Sequence, residues 1–149
     1  MGIAEEEPEN KTVIIIVDSD GFIGSLNTHD FHHKICHTIL LKFSEKKAQF
    51  IYPATVIIET VTLLQGRLNQ PELADQVIQT VKANQIFIEP IDVEILQKAS
   101  ILIDLKRSKH NTLFDAVVAS IAKKYDADAI FSFDRFYKRV GFKLAEDML

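Results

Sequence analysis

Thr12-Val13-Ile14-Ile15-Ile16-Val17-Asp18-Ser19-Asp20-Gly21 is the stretch that decides the fold. Its first six residues are all β-branched, with apolar side chains on both faces of an extended chain. That is the pattern of a central parallel strand covered by helices on each side. The run stops at Asp18-Ser19-Asp20-Gly21, a polar corner carrying two acids.

Working outward, Phe31, Ile35, Ile39, Leu40 and Phe43 recur at helical spacing between Asp30 and about Lys46, opposite Lys34, Lys42, Glu45 and Lys46. Gln49–Tyr52 reads as a second strand, and Pro53 opens an apolar helix to about Arg67. Pro71 begins another helix, to about Ala83. Ile86–Ile91 is a third strand, Val93–Lys106 and Leu113–Tyr125 are helices, Ala129–Phe133 is a fourth strand, and Phe142–Leu144 is a short fifth after Gly141. Strands alternating with helices predict an α/β fold, a three-layer α/β/α sandwich with a central, mostly parallel sheet of four to five strands, because each parallel crossover needs a helix.

The 149 residues, 47% of them hydrophobic, suffice for one core. Residues 1–10, with Glu5, Glu6, Glu7 and Glu9 beside Pro8, read as a flexible acidic leader, and 11–149 as a single domain. The longest apolar runs are too short for a membrane span, and no basic-then-apolar signal peptide opens the chain. The one cysteine, Cys36, has no partner for an intramolecular disulfide and fits a cytoplasmic location. A net charge of −4, from 17 basic and 21 acidic side chains, excludes a protein that coats nucleic acid with its whole surface.

Four acids sit in or against apolar runs. Asp18 closes Ile14–Val17, Glu59 interrupts Val56–Ile58 and Val61, Asp115 splits Leu113-Phe114 from Ala116–Val118, and Asp134 follows Ala129–Phe133. A carboxylate taken out of water needs a partner, a hydrogen bond or a metal. Structural explanations exist for three of them. Asp18, Ser19 or Asp20 can cap a following helix, Thr112-Leu113-Phe114-Asp115 has capping-box spacing, and Asp134 can cap a short helix. Glu59 lies a turn inside its helix with no basic residue three or four places away, which makes it the most diagnostic of the four. Strand ends of a parallel sheet bring Asp18 and Asp134 together, where ligands gather. Several carboxylates in one pocket hold protons at neutral pH unless a cation compensates them. All-oxygen ligation suits Mg²⁺ or Mn²⁺, which can generate a hydroxide nucleophile and stabilise charge on a phosphodiester.

Val17-Asp18-Ser19, Ile58-Glu59-Thr60, Asp115-Ala116-Val117-Val118-Ala119-Ser120-Ile121-Ala122 and Ser132-Phe133-Asp134 stand in the order of four acid motifs found in PIN-domain ribonucleases, and the chain resembles that family, in its VapC-like toxin type. The resemblance spans nearly all of Lys11–Leu144. It implies a Mg²⁺ or Mn²⁺ site at Asp18, Glu59, Asp115 and Asp134 and endonucleolytic cleavage of RNA, often by the toxin of a toxin–antitoxin pair. Asp18, Glu59 and Asp115 would be the main ligands and Asp134 would complete the pocket. Ser132 would support the acids, with Asp20 a weaker supporting candidate that also reads as a helix cap. The family position three residues past the last acid, usually Phe, is Tyr137 here, preceded by Phe136, and the acidic leader is longer than many compact toxins carry. A protein antitoxin and a homodimer are the implied partners, the dimer contact falling on the apolar helices around Ile35–Phe43 and Leu63–Leu73.

RNA phosphates need local cations. Lys106, Arg107 and Lys109 precede Asp115, and Arg135, Lys138 and Arg139 follow Asp134, while Phe136 or Tyr137 could stack a base. His29, His33 and His37 recur every four residues beside His32 and Cys36, but no second ligand-bearing segment accompanies them, which argues against zinc. Two rival readings remain. Asp18-Ser19-Asp20-Gly21 resembles the opening of haloacid-dehalogenase-like phosphohydrolases, with Asp18 as nucleophile and Asp20 as acid/base, although Phe22 replaces the expected Thr and Glu59 and Asp115 are left without a role. The other is a catalytically silent PIN-like module that binds RNA or protein.

Overall fold

The computed structural model describes Gly2 and residues 11–103 and 110–149. Four parallel strands, β1 (Ile14–Val17), β2 (Gln49–Pro53), β3 (Phe87–Glu89) and β4 (Ala129–Phe131), form one sheet in the order β3-β2-β1-β4. The β-branched run read first is thus an interior strand, with Ile15, Ile16 and Val17 fully buried. Among the described residues seven helices accompany the sheet: α1 (Ser19–Leu26), α2 (His33–Glu45), α3 (Ala54–Gln65), α4 (Pro71–Lys82), α5 (Val93–Leu102), α6 (Leu113–Lys124) and α7 (Phe136–Arg139). A 3₁₀ turn, Ala145–Met148, follows. The α/β class and the parallel sheet are as the alternation predicts.

The third and fourth strands are shorter than their apolar runs, and Phe142–Leu144 contributes a single bridge, Ile130 to Leu144, in place of a fifth strand. The helix anticipated from Asp30 starts at His33, because Asp30 and His32 are engaged in a turn in which the His32 N–H donates to Asp30 Oδ1 at 2.8 Å. His29 therefore lies off that helix, and His33 Nδ1 meets the Gly24 carbonyl oxygen at 2.8 Å.

Helix α6 is the central helix of the fold. Every residue from Ala116 to Ala122 is buried, and its small side chains let it sit between α5 and strands β1 and β2. Its charged residues are confined to the ends, and Asp115 is held in the first turn, where the helix dipole favours an acid. Lys47, Asn84 and Asp126 take positive φ directly after the C-caps of α2, α4 and α6, ending those helices in a left-handed residue that Asn and Asp tolerate best, and Asn69 does so in the turn that leads from α3 to α4. Among the described residues no helix is long and apolar enough to cross a membrane.

Candidate active site

The order reversal of the sheet falls at β1, and the carboxyl ends of β1 and β4 lie side by side, the Asp18 N–H continuing the ladder by donating to the Phe131 carbonyl at 3.1 Å. Chain direction alone therefore carries Asp18 and the Ser132–Asp134 segment to one edge. Glu59 arrives on α3, directly after the neighbouring strand β2, and Asp115 on the first turn of α6.

Two of the structural roles weighed from sequence are real, and each occupies only one oxygen. Asp18 is the N-cap of α1, its Oδ1 accepting from the Ser19 N–H at 2.8 Å. Asp115 Oδ2 accepts from the Thr112 N–H at 2.9 Å, half of a capping box. The remaining oxygens meet at one hydroxyl: Tyr137 Oη donates to Asp18 Oδ2 at 2.7 Å and lies 3.5 Å from Asp115 Oδ1. Asp134 is more fully engaged, accepting from the Phe136 N–H at 2.9 Å and from Asn111 Nδ2 at 3.2 Å.

Ser132 Oγ donates to Asp20 Oδ2 and accepts from the Asp134 N–H, both at 3.1 Å, while the Phe133 N–H also donates to Asp20 Oδ2, at 2.8 Å. Asp20, read from sequence as a helix cap, instead lies in the first turn of α1, whose N-cap is Asp18, and ties that helix to the loop after β4. Glu59 is half-buried and accepts a hydrogen bond from Ser19 Oγ, which links it to the residue next to Asp18.

The electrostatics are those of a cluster short of positive charge. Burial, then the Asp20 carboxylate, push the Asp18 carboxyl up to about 8 against the opposing hydrogen bonds from Tyr137 and Ser19, with Asp115 adding to the rise. Asp20 and Asp115 are also raised, burial being the first cause for each and Asp134 adding repulsion. Among the described residues none of the four aspartates forms an ion pair. Nor do three His, Cys, Asp or Glu side chains among them stand close enough together to form a ready-made metal cage. The donor chemistry still fits a hard divalent ion, because the oxygens are carboxylates and a cation removes the repulsion that lifts their pKa values.

A stability prediction follows. The folded chain keeps the Asp18 proton up to about pH 8, whereas the unfolded chain releases it near 3.8, so the unfolded state holds fewer protons between these limits and stability falls as pH rises across them. Thermal denaturation in EDTA should show Tm declining from pH 5 to 8, with added Mn²⁺ raising it most at the upper end. A flat profile in EDTA would contradict the crowding described above.

Of the basic residues, Lys106, Arg107 and Lys109 lie outside the described residues. Arg135 is exposed beside Asp134, Lys138 pairs with Asp147 at 3.0 Å, and Arg139 donates to Asn111 Oδ1 at 3.2 Å. Asn111 therefore stands between a guanidinium and the Asp134 carboxylate, a position its polar loop sequence does not advertise. Stacking on Phe136 or Tyr137 is overturned: both rings are buried, Tyr137 completely, packed edge-on to each other at 5.4 Å. Outside the cluster, Glu89 is a fifth acid against an apolar run, closing Ile86-Phe87-Ile88, and it is buried with partners of its own, held by Lys124 at 2.7 Å and by the Tyr125 hydroxyl.

Fold and site together define a class, an α/β/α sandwich whose parallel sheet delivers a carboxylate cluster to its carboxyl edge. The chain belongs to the PIN-domain family, whose model matches residues 15–143. Its fold is similar to that of VapC20 from Mycobacterium tuberculosis, described as a Sarcin-Ricin loop cleaving toxin, with a TM-score of 0.72 and 19% identity over 86% of this chain and 95% of that one. No curated protein matches the sequence.

Proposed function

We propose that this chain is a divalent-metal-dependent endoribonuclease, acting in the cytoplasm as the toxin of a toxin–antitoxin pair. The observation that carries the reading is the convergence of Asp18 Oδ2 and Asp115 Oδ1 at the Tyr137 hydroxyl, with Asp134 close enough to raise Asp115 and Glu59 one serine away. PIN-family membership and the likeness in fold to a toxin described as cleaving the Sarcin-Ricin loop support the substrate class.

Asp18, Glu59, Asp115 and Asp134 would hold Mg²⁺ or Mn²⁺, and the ion would supply Lewis-acid activation of water and neutralisation of charge on the phosphodiester. The Tyr137 hydroxyl orients Asp18 Oδ2 and stands 3.5 Å from Asp115 Oδ1. Ser132 and Asp20 fix the loop that carries Asp134, so the cluster is set by the sheet and not by mobile side chains. Arg135 and Arg139 supply cations for flanking phosphates, the latter steadied by Asn111.

The Asp18/Asp20 phosphohydrolase reading is disfavoured by geometry, since the Asp20 oxygen facing the site accepts from both Ser132 and Phe133 and is not free to shuttle a proton. Incubation of the purified protein with labelled single-stranded RNA is expected to give Mn²⁺-dependent internal cleavage, abolished by EDTA and reduced about a hundredfold or more in Glu59→Ala. Absence of wild-type cleavage across varied RNAs would leave a silent binding module as the better reading. The implied homodimer would use exposed apolar side chains of α2 and α3 such as Leu41 and Ile58, because Ile39 and Phe43 face the core.

A further inference from the structure

The aromatics that sequence placed at the acid edge are buried, yet three others form a series there. His32 stacks on Phe133 with ring centroids 3.9 Å apart and planes 6° off parallel, and Phe31 packs edge-on against His32 at 5.0 Å. Phe133 lies between Ser132 and Asp134, and its own N–H is bound to Asp20, so the stack is anchored to the acid loop. Phe31, at the outer end, is 94% exposed, the most exposed large hydrophobic side chain among the described residues.

A single exposed apolar residue is ordinary. What is held is its neighbour: the His32 N–H is fixed by Asp30 and the imidazole is stacked on Phe133, so Phe31 extends a fixed ring that it meets edge-on. Beside it lies a recess of about 540 Å³ lined by Phe31, His32, Lys34, Ile35, Thr38 and Glu146, a volume in the range of small-ligand sites. Lys34 forms no ion pair among the described residues, and Glu146 is the acid in the same lining.

From this geometry we infer that Phe31 and His32 form a stacking platform for one unpaired nucleobase of the RNA substrate, with Lys34 facing the adjoining phosphate. An aromatic face accepts any base, and a strand held at the acids runs past the anchored end of the stack at Phe133. Glu146 places the phosphate on the Lys34 side and the uncharged base against Phe31. The platform deepens the ribonuclease reading, on which the identity of the strand rests, but the binding of a single strand can be measured without cleavage.

The test is binding of a single-stranded oligoribonucleotide carrying 2-aminopurine in EDTA, read by quenching on stacking and by anisotropy, alongside cleavage of the unlabelled strand with Mn²⁺. Phe31→Ala removes an exposed ring and leaves the fold intact. It should weaken binding about tenfold, abolish the quenching and raise KM with kcat unchanged, and Phe31→Trp should restore all three. Quenched binding by a wild type that cleaves nothing would retain the platform and sink the nuclease reading. Cleavage with a KM untouched by Phe31→Ala, a Trp variant as weak as Ala, or a wild type that neither binds nor cleaves would overturn the platform. So would a Phe31→Ala variant that changes only the association state, because the ring would then serve a protein interface.

Discussion

Asp18→Asn is expected to abolish RNA cleavage while raising the Tm of the metal-free protein at pH 8. The two effects come from one cause. Asp18 is 7% exposed and its charge is opposed first by burial and then by Asp20, so the ionised carboxylate that the proposed reaction would need is the form the fold tolerates least. Asparagine keeps the Oδ1 cap on the Ser19 N–H and still offers a polar partner to the Tyr137 hydroxyl, but it carries no charge to bury. Loss of one ligand from the centre should lower kcat by about a thousandfold, ~4 kcal/mol of barrier. Single-turnover cleavage with Mn²⁺ and thermal melts in EDTA check both sides. A variant that loses activity and stability together would show that the carboxylate is structural.

Gly21→Ala is expected to have the largest effect on the fold. A Cβ at position 21 would land on the Phe131 carbonyl oxygen and on the Phe131 ring, which places α1 in contact with β4 with no room for a methyl group. Strand backbone cannot rotate away as a side chain can, so α1 must lift off the sheet. The cost should be about 3 kcal/mol, the upper end of ordinary overpacking, seen as a Tm lowered by about 6–12 °C. Because α1 carries Asp20 and is capped by Asp18, cleavage should fall with it, and Mn²⁺ should recover less Tm than in the wild type. At Gly24, by contrast, the nearest atom is the Cys36 sulfur, a side chain, and alanine there should cost less. Equal melting of the Gly21 variant and the wild type would refute the packing argument.

Helix α1 is also where sequence reading was weakest. The chain after Asp18 could be recognised as a capped helix start, but Ser19–Leu26 contains two glycines in eight residues, which local propensity counts against a helix. It forms because only glycine lets it approach Phe131 and Cys36 so closely, and that gain is tertiary. Similar reasoning covers the fifth strand. Phe142–Leu144 has strand-like residues, yet it meets only the edge of β4, where Tyr137 and Leu144 are drawn into the core and one bridge is all the geometry permits.

The acids stand differently. Each was visible as a charge in an apolar run, and the reason is general: a carboxylate in such a run has a desolvation cost that some partner must offset. What a run of letters does not carry is which oxygen is spoken for. Bonds from the Ser19 and Thr112 N–H groups take one oxygen of Asp18 and one of Asp115, and the other two are brought together at the Tyr137 hydroxyl, contributed from 119 residues beyond Asp18.

By itself the sequence determined the α/β class, the strand that lies inside the sheet and the acids that interrupt its apolar runs, because periodicity and burial cost are properties of neighbouring residues. The tertiary structure alone decided which oxygens face one another, that Phe136 and Tyr137 are core while Phe31 and His32 are surface, and that α1 forms at all. Those outcomes depend on distances between segments remote in the chain, and such distances exist only once the sheet has set its strand order.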